Sequence, residues 1–323
     1  MKPNPFSDEI NHGSASSILL LKEELRNEKC PPGTVIIRRT TKEDLINAKQ
    51  FFSNVIKVTS ILSKNDPQDT SAPGSAHHHW ATFIAQGEFY GAKGSPTVHG
   101  LPGLLPSQVS SAYIIVSNGY HDTFNAAHAG WSVNPSLYGD ARSHLNIAWT
   151  TDGYHNTGCI DLTCPGFVQV HEHITPGFVF PQLSTYGGQQ YGVPLSILKD
   201  QQSGNWWLRM GVDKTPIGYW PKSLFNELKN YADNIYWGGV AHAPSQLAGP
   251  PMGSGHFAGE GWDKAACFTE MQYMDKNNNF QTPRDVIKLY ADSPSCYSVA
   301  KASDYDDKDG AAFFFGGPEG CQQ

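Results

Sequence analysis

Residues 81–98, ATFIAQGEFYGAKGSPTV, decide how the rest of the chain is read. β-branched and aromatic residues recur on both sides of a Gly-containing turn, which is the pattern of two short strands and not of a helix. The same grammar continues outward. SSAYIIVSNG (110–119) is another strand, and HLNIAWTTDGYHNTGC (144–159) is a strand that runs into the turn signal Thr-Asp-Gly. In GFVQVHEHI (166–174) the alternation places Phe167, Gln169, His171 and His173 on one face and Val168, Val170, Glu172 and Ile174 on the other. VPLSILKDQQSGNWWLRMG (193–211) reads as a hairpin and PIGYWP (216–221) as a strand ended by proline. KSLFNELKNYADNIYWGG (222–239) starts as a short helix and finishes as a strand. Ten or more closely spaced strands with one helix predict an all-β domain of two stacked antiparallel sheets, a β-sandwich.

The region ahead of His77 differs. SASSILLLKEELRN (14–27) and TKEDLINAKQFFSNVIKVTSIL (41–62) have helical periodicity, the second with Thr41 and Asp44 as capping partners. GTVIIRRT (33–40) between them reads as a short strand, and SKNDPQDTSAPGS (63–75) as a linker and a plausible cleavage site. The expected division is a small helical segment over 1–62, a linker over 63–76 and the sandwich over 77–323.

Composition narrows the functional classes. Charged residues make up 16% of the 323, with a formal net charge of −7 and basic side chains too scattered to form a stripe, so nucleic acid and anionic membranes are poor partners. No apolar run is long enough to span a bilayer. The N-terminus is polar and is not a signal peptide, so the chain is either cytosolic or begins after a removed leader. Cysteine spacing favours an oxidising compartment. Cys159 and Cys164 are placed to close a hairpin, and Cys296 and Cys321 enclose an aspartate-rich loop; Cys30 and Cys267 are left over, and spacing alone leaves the pairing open. No nucleophile elbow, phosphate loop or dinucleotide fingerprint is present, and no cofactor is expected.

Read in order, AGWSVNPSLYGD, WTTDGYHNTGC, CPGFVQV, STYGGQQY, GNWWL, GYWPKSLF, WGG, PPMGSGHFAGEGW, KAACF and FFFGGPEGC resemble the motifs of the neprosin family, over essentially all of 77–323. CPPGTVIIRRTTKEDL (30–45) resembles the propeptide that precedes neprosin catalytic domains in plant proteins. The resemblance implies a secreted zymogen whose N-terminal segment docks in cis over the cleft. It also implies a glutamic peptidase that cuts after proline, with two glutamates across a concave sheet. One activates water while the other, its pKa raised, keeps a proton to donate.

The chain departs from that pattern where the chemistry sits. One family glutamate falls at His128, before Ala-Gly-Trp, and the other at Val240, after Trp-Gly-Gly; His78 replaces a further acidic residue. His128 is then either a neutral residue the sheet tolerates or an acid/base group suited to neutral pH. His242, two residues beyond Val240, projects to the same face if no bulge intervenes, and the expected catalytic pair is His128 with His242. Trp131, Trp149, Tyr154, Tyr186, Tyr219 and Trp237 are candidates for an aromatic floor, joined by Val240 and His256 as groove-lining positions. His171 and His173 have metal-ligand spacing but read better as a solvated face, and His77–His79, too short for an affinity tag, read as natural sequence at the domain start, so no metal is assigned. Three functions follow: a repurposed enzyme acting on a small organic substrate by isomerisation, cyclisation or elimination; a non-catalytic peptide- or glycan-binding or regulatory descendant; and a prolyl endopeptidase working by an atypical mechanism.

Overall fold

The computed structural model describes residues 31, 33–37, 39–55, 77–284, 287–303 and 310–321. Sixteen strands occur among them. They are β1 (His77–Phe89), β2 (Gly91–Pro96), β3 (Val109–Asn118), β4 (Asn125–Val133), β5 (His144–Thr150), β6 (Cys159–Ile160), β7 (Val168–Gln169) and β8 (Leu195–Lys199). The chain continues through β9 (Trp206–Met210), β10 (Thr215–Trp220), β11 (Ala232–Ala243), β12 (Ala266–Met274), β13 (Phe280–Gln281), β14 (Ile287–Ala291), β15 (Ser298–Lys301) and β16 (Ala311–Gly316). All pairings are antiparallel. Sheet A has the order β14-β1-β11-β3-β4-β5-β6, and sheet B runs β15-β16-β12-β2-β8-β9-β10-β7 with β13 attached to β12.

Period-two alternation builds the sandwich. Phe83, Ile114, Trp131, Ile147 and Trp237 of sheet A meet Trp206, Trp220, Phe268, Phe313 and Phe315 of sheet B in one core. Each such side chain contributes about 1.5–3 kcal/mol by leaving water. The first two strands are not a hairpin. β1 pairs with β11 and β14, whereas β2 pairs with β12 and β8, so the turn at Tyr90 carries the chain from one sheet to the other. Gly91 makes this crossing sterically possible, because a Cβ there would lie 2.6 Å from a Leu198 methyl.

Three expected elements are shorter than the pattern suggested. The helix expected from Lys222 is a single 3-10 turn, Lys222–Leu224, because Asn125 Oδ1 accepts from the amides of Asn226 and Glu227 and diverts the backbone. The strand expected over 166–174 survives only at Val168–Gln169. Beyond it the His171 ring accepts from the amides of His173 and Ile174, a tight turn that removes the two histidines from any shared strand face. GTVIIRRT forms no strand among its described residues, yet Ile36 is tied to the sandwich by bonds with Glu172 (3.4 Å) and Gln169 (2.8 Å).

Helix α1 (Lys42–Val55) opens with the expected capping box: Thr41 N donates to Asp44 Oδ2 and Asp44 N to Thr41 Oγ1. Its Ala48 packs on Leu137 of helix α2 (Pro135–Tyr138) and on Ala148 and Ile160 of sheet A. The helix expected over 14–27, Cys30 and the linker fall outside the described residues. Cys159–Cys164 and Cys296–Cys321 are bonded, and Cys267 is a buried free thiol whose pKa burial pushes up to about 12. No described helix is long and apolar enough to cross a membrane.

Candidate functional site

The pairing register turns the outer face of sheet A into a grid. Crossing β1, β11, β3, β4 and β5, one row is Trp80, Val240, Ser111, Ser132 and His144. The next is Thr82, Gly238, Tyr113, Gly130 and Asn146, and the third Ile84, Tyr236, Ile115, His128 and Ala148. The fourth is Gln86, Asn234, Ser117, Ala126 and Thr150; ahead of the first, His78 pairs with His242 and His242 with Val109. Rows are about 6.6 Å apart and columns about 4.8 Å. Trp80, Tyr113, Ile115, Phe124, Ala126, Tyr236 and Val240 form one apolar cluster here, separate from the inter-sheet core.

This grid corrects the expected catalytic pair. His128 and His242 do share a face, since β11 runs beside β3 without a bulge. They stand three rows and two strands apart, however, roughly 20 Å along the sheet. His242 instead stacks on His78, ring centroids 4.1 Å apart. His128 lies against Tyr113, with centroids 4.6 Å apart. Burial lowers the His128 pKa to about 3, so the imidazole is neutral at pH 7.

The aromatic floor is also corrected. Trp131, Trp149 and Trp237 lie between the sheets, where Trp131 Nε1 donates to Thr97 O and Trp237 Nε1 to Lys93 O. Tyr219 belongs to sheet B and packs on Trp207. Tyr186 and His256 stack on each other and both bond Glu260, beside β15, where Ala258 N meets Ser298 Oγ. Of the six aromatics only Tyr154 is on the His128 side; burial, helped by Tyr113, holds its pKa above the ordinary tyrosine value. Val240 lies in the apolar cluster between Trp80 and Ser111.

The residues that make this face were not singled out from sequence. Tyr113 occupies the centre because both its row neighbours, Gly238 and Gly130, lack side chains. Its hydroxyl donates to Asn146 Oδ1 (2.8 Å), and Asn146 Nδ2 donates to Asp161 Oδ1 (3.0 Å). Tyr138 OH closes the network on Asp161 Oδ2 at 2.8 Å. Three polar atoms on the face, Trp80 Nε1, Thr82 Oγ1 and His128 Nε2, are covered from water and have no hydrogen-bond partner among the described residues, while Ser117 Oγ meets the Tyr236 hydroxyl. Such atoms are rare in native proteins and costly, about 1–3 kcal/mol each. None of the side chains in these rows is a carboxylate.

A family model described as Neprosin matches residues 106–318, about two thirds of the sequence. The chain belongs to the neprosin family. Among solved structures it is similar to Scytalido-glutamic peptidase bound to a peptide-based transition-state analogue: 10% identity over 76% of this chain and 100% of that one, TM-score 0.40. SCP-B, a member of the Eqolisin family of peptidases in complex with the tripeptide Ala-Ile-His, aligns over the same shares at 9% identity and a TM-score of 0.39. A glycoside hydrolase family 16 endo-glucanase from Bacteroides ovatus aligns at 10% identity over 54% of this chain and 70% of that one, TM-score 0.29.

Proposed function

We propose that the outer face of sheet A is a binding groove for an extended peptide, derived from a neprosin-type peptidase and working without the glutamate pair. The observation that carries this reading is the set of three covered, unpartnered polar atoms in rows whose own side chains include no carboxylate. An extended main chain presents alternating donors and acceptors of the kind those atoms lack. Family membership supports a peptidase-related function. The positions where the resemblance expects glutamates hold His128 and Val240. A neutral imidazole with a pKa near 3 has no proton to give at pH 7, and valine handles none.

The N-terminal segment fits the role of a propeptide docked in cis, because Ala48 rests on Ala148, the direct cross-strand partner of His128. Two disulfides fit a secreted protein. A second reading, a repurposed enzyme, is favoured by the ring contact between His128 and Tyr113 at the head of the Asn146–Asp161 relay. Against it, burial leaves the imidazole at about 3 and the phenol at about 12, both far from the pH at which they would exchange protons.

Tryptophan fluorescence tests the binding reading. A proline-containing peptide of about ten residues is titrated into the protein and into Trp80→Phe, which keeps an aromatic ring and removes the Nε1–H. Saturable binding, weakened about fivefold or more in the variant, is the expected result. No binding to the wild type, or equal affinities, would remove the proposal.

A further inference from the structure

On the inner side of β1, next to His78, His79 is almost fully buried and faces the C-terminal disulfide. Its Nε2 lies 3.8 Å from Cys321 Sγ, and its Nδ1 lies 3.4 Å from Asp292 Oδ2. Ser293 Oγ approaches the same sulfur at 3.8 Å. The two sulfurs of the bond therefore differ. Cys321 is 8% exposed and has a hydroxyl and an imidazole beside it, while half-buried Cys296 follows the exposed residues Pro294 and Ser295. Carboxylate, imidazole and sulfur in that order form the arrangement that stabilises a thiolate: an imidazolium donates from one nitrogen to the carboxylate and from the other to the sulfur.

We propose that Cys296–Cys321 is a thiol-exchange site, at which a small thiol adds to Cys296 and expels Cys321 as a thiolate held by His79 and Ser293. The incoming thiolate forms a bond to Cys296 Sγ, the Cys296–Cys321 bond breaks, and its electron pair leaves on Cys321. A second thiol then attacks the outer sulfur of the mixed disulfide and frees Cys296. Two thiols are oxidised to one disulfide and the protein bond is reduced by two electrons. The released protons are taken by Cys296 and by His79, which ends as an imidazolium between Asp292 and Cys321.

The direction of cleavage follows from the leaving group, since the sulfur with the lower thiol pKa departs faster. The other group facing the site, Tyr297, adds no charge. Its ring is 5.2 Å from His79, its hydroxyl donates to Pro250 O, and burial, with Asp292, raises its pKa. The second disulfide is an internal control. Among the described residues, the contacts of Cys159 and Cys164 are the Thr163 hydroxyl and backbone carbonyls, with no imidazole. The site also touches the groove, because Asp292 Oδ1 accepts from Trp80 N at 2.9 Å.

The experiment exposes the intact protein to reduced glutathione at pH 7, quenches with acid, and maps adducts and free thiols by alkylation and mass spectrometry. Expected are glutathione on Cys296 with Cys321 free, and opening at least about tenfold faster than at Cys159–Cys164. Asp292→Asn, which retains an acceptor for Trp80 N, slows opening by about tenfold. After full reduction, Cys321 alkylates with a midpoint at least about one unit below the ordinary thiol value of about 8.5. The wild-type regiochemistry needs no variant, so it remains decisive if Asp292→Asn folds poorly. First adducts on Cys321, equal opening of the two disulfides, or a Cys321 midpoint at or above the ordinary value would overturn the proposal.

Discussion

Replacing His128 by phenylalanine tests whether this histidine is a neutral part of the sheet or a proton-handling group. An unfolded histidine takes a proton near pH 6.5, whereas burial holds His128 at about 3 in the fold. Because the folded pKa is depressed and the protonated form is the charged one, the unfolded chain binds the proton first on acidification. The site therefore costs nothing above pH 6.5, and stability falls as pH drops from there towards 3. Integrated between pH 7 and 4.5, this amounts to about 2.5 kcal/mol lost through His128 alone. Phenylalanine preserves a ring against Tyr113 and cannot titrate. Urea unfolding at the two pH values gives the difference directly. The wild type is expected to lose about 2.5 kcal/mol more than His128→Phe. Equal losses would mean that His128 takes a proton in the folded state, and the neutral-imidazole argument would fail.

Thr41→Ala removes one half of the capping box and is expected to cost about 1 kcal/mol, read as faster amide exchange at the start of α1. His99, held near 4 by burial and by His256, adds a second acid-sensitive site, so His99→Gln should flatten stability between pH 6.5 and 4 in the same manner. Replacing both Cys296 and Cys321 by alanine opens a loop of 25 residues and should lower stability by roughly 3.5 kcal/mol, measured by calorimetry.

Much of the fold was legible because strands announce themselves by alternation. SSAYIIVSN over 110–118 is strand β3 almost residue for residue, and the Thr41/Asp44 capping pair is present. The two pairs that the sequence placed well for bonding, Cys159 with Cys164 and Cys296 with Cys321, are bonded. The sheet switch between β1 and β2 was not legible, since a Gly turn connects strands equally well within a sheet and between sheets. The face of each tryptophan was legible from parity alone. Trp131 is three residues from His128 and Trp237 three from Val240, and an odd spacing on a strand sends two side chains to opposite faces. The distance between His128 and His242 was not legible, because it depends on the register of β11 on β3 and of β3 on β4. Nor was the central place of Tyr113, which comes from Gly238 and Gly130 flanking it from strands remote in sequence.

The most direct measurement incubates the protein with a proline-containing peptide at each pH from about 3 to 7 and follows it by mass spectrometry. A groove that holds its ligand without acid/base chemistry leaves the peptide whole across the range. A clean, protein-dependent cut after proline would contradict the account and place a working pair of proton-handling groups on this face.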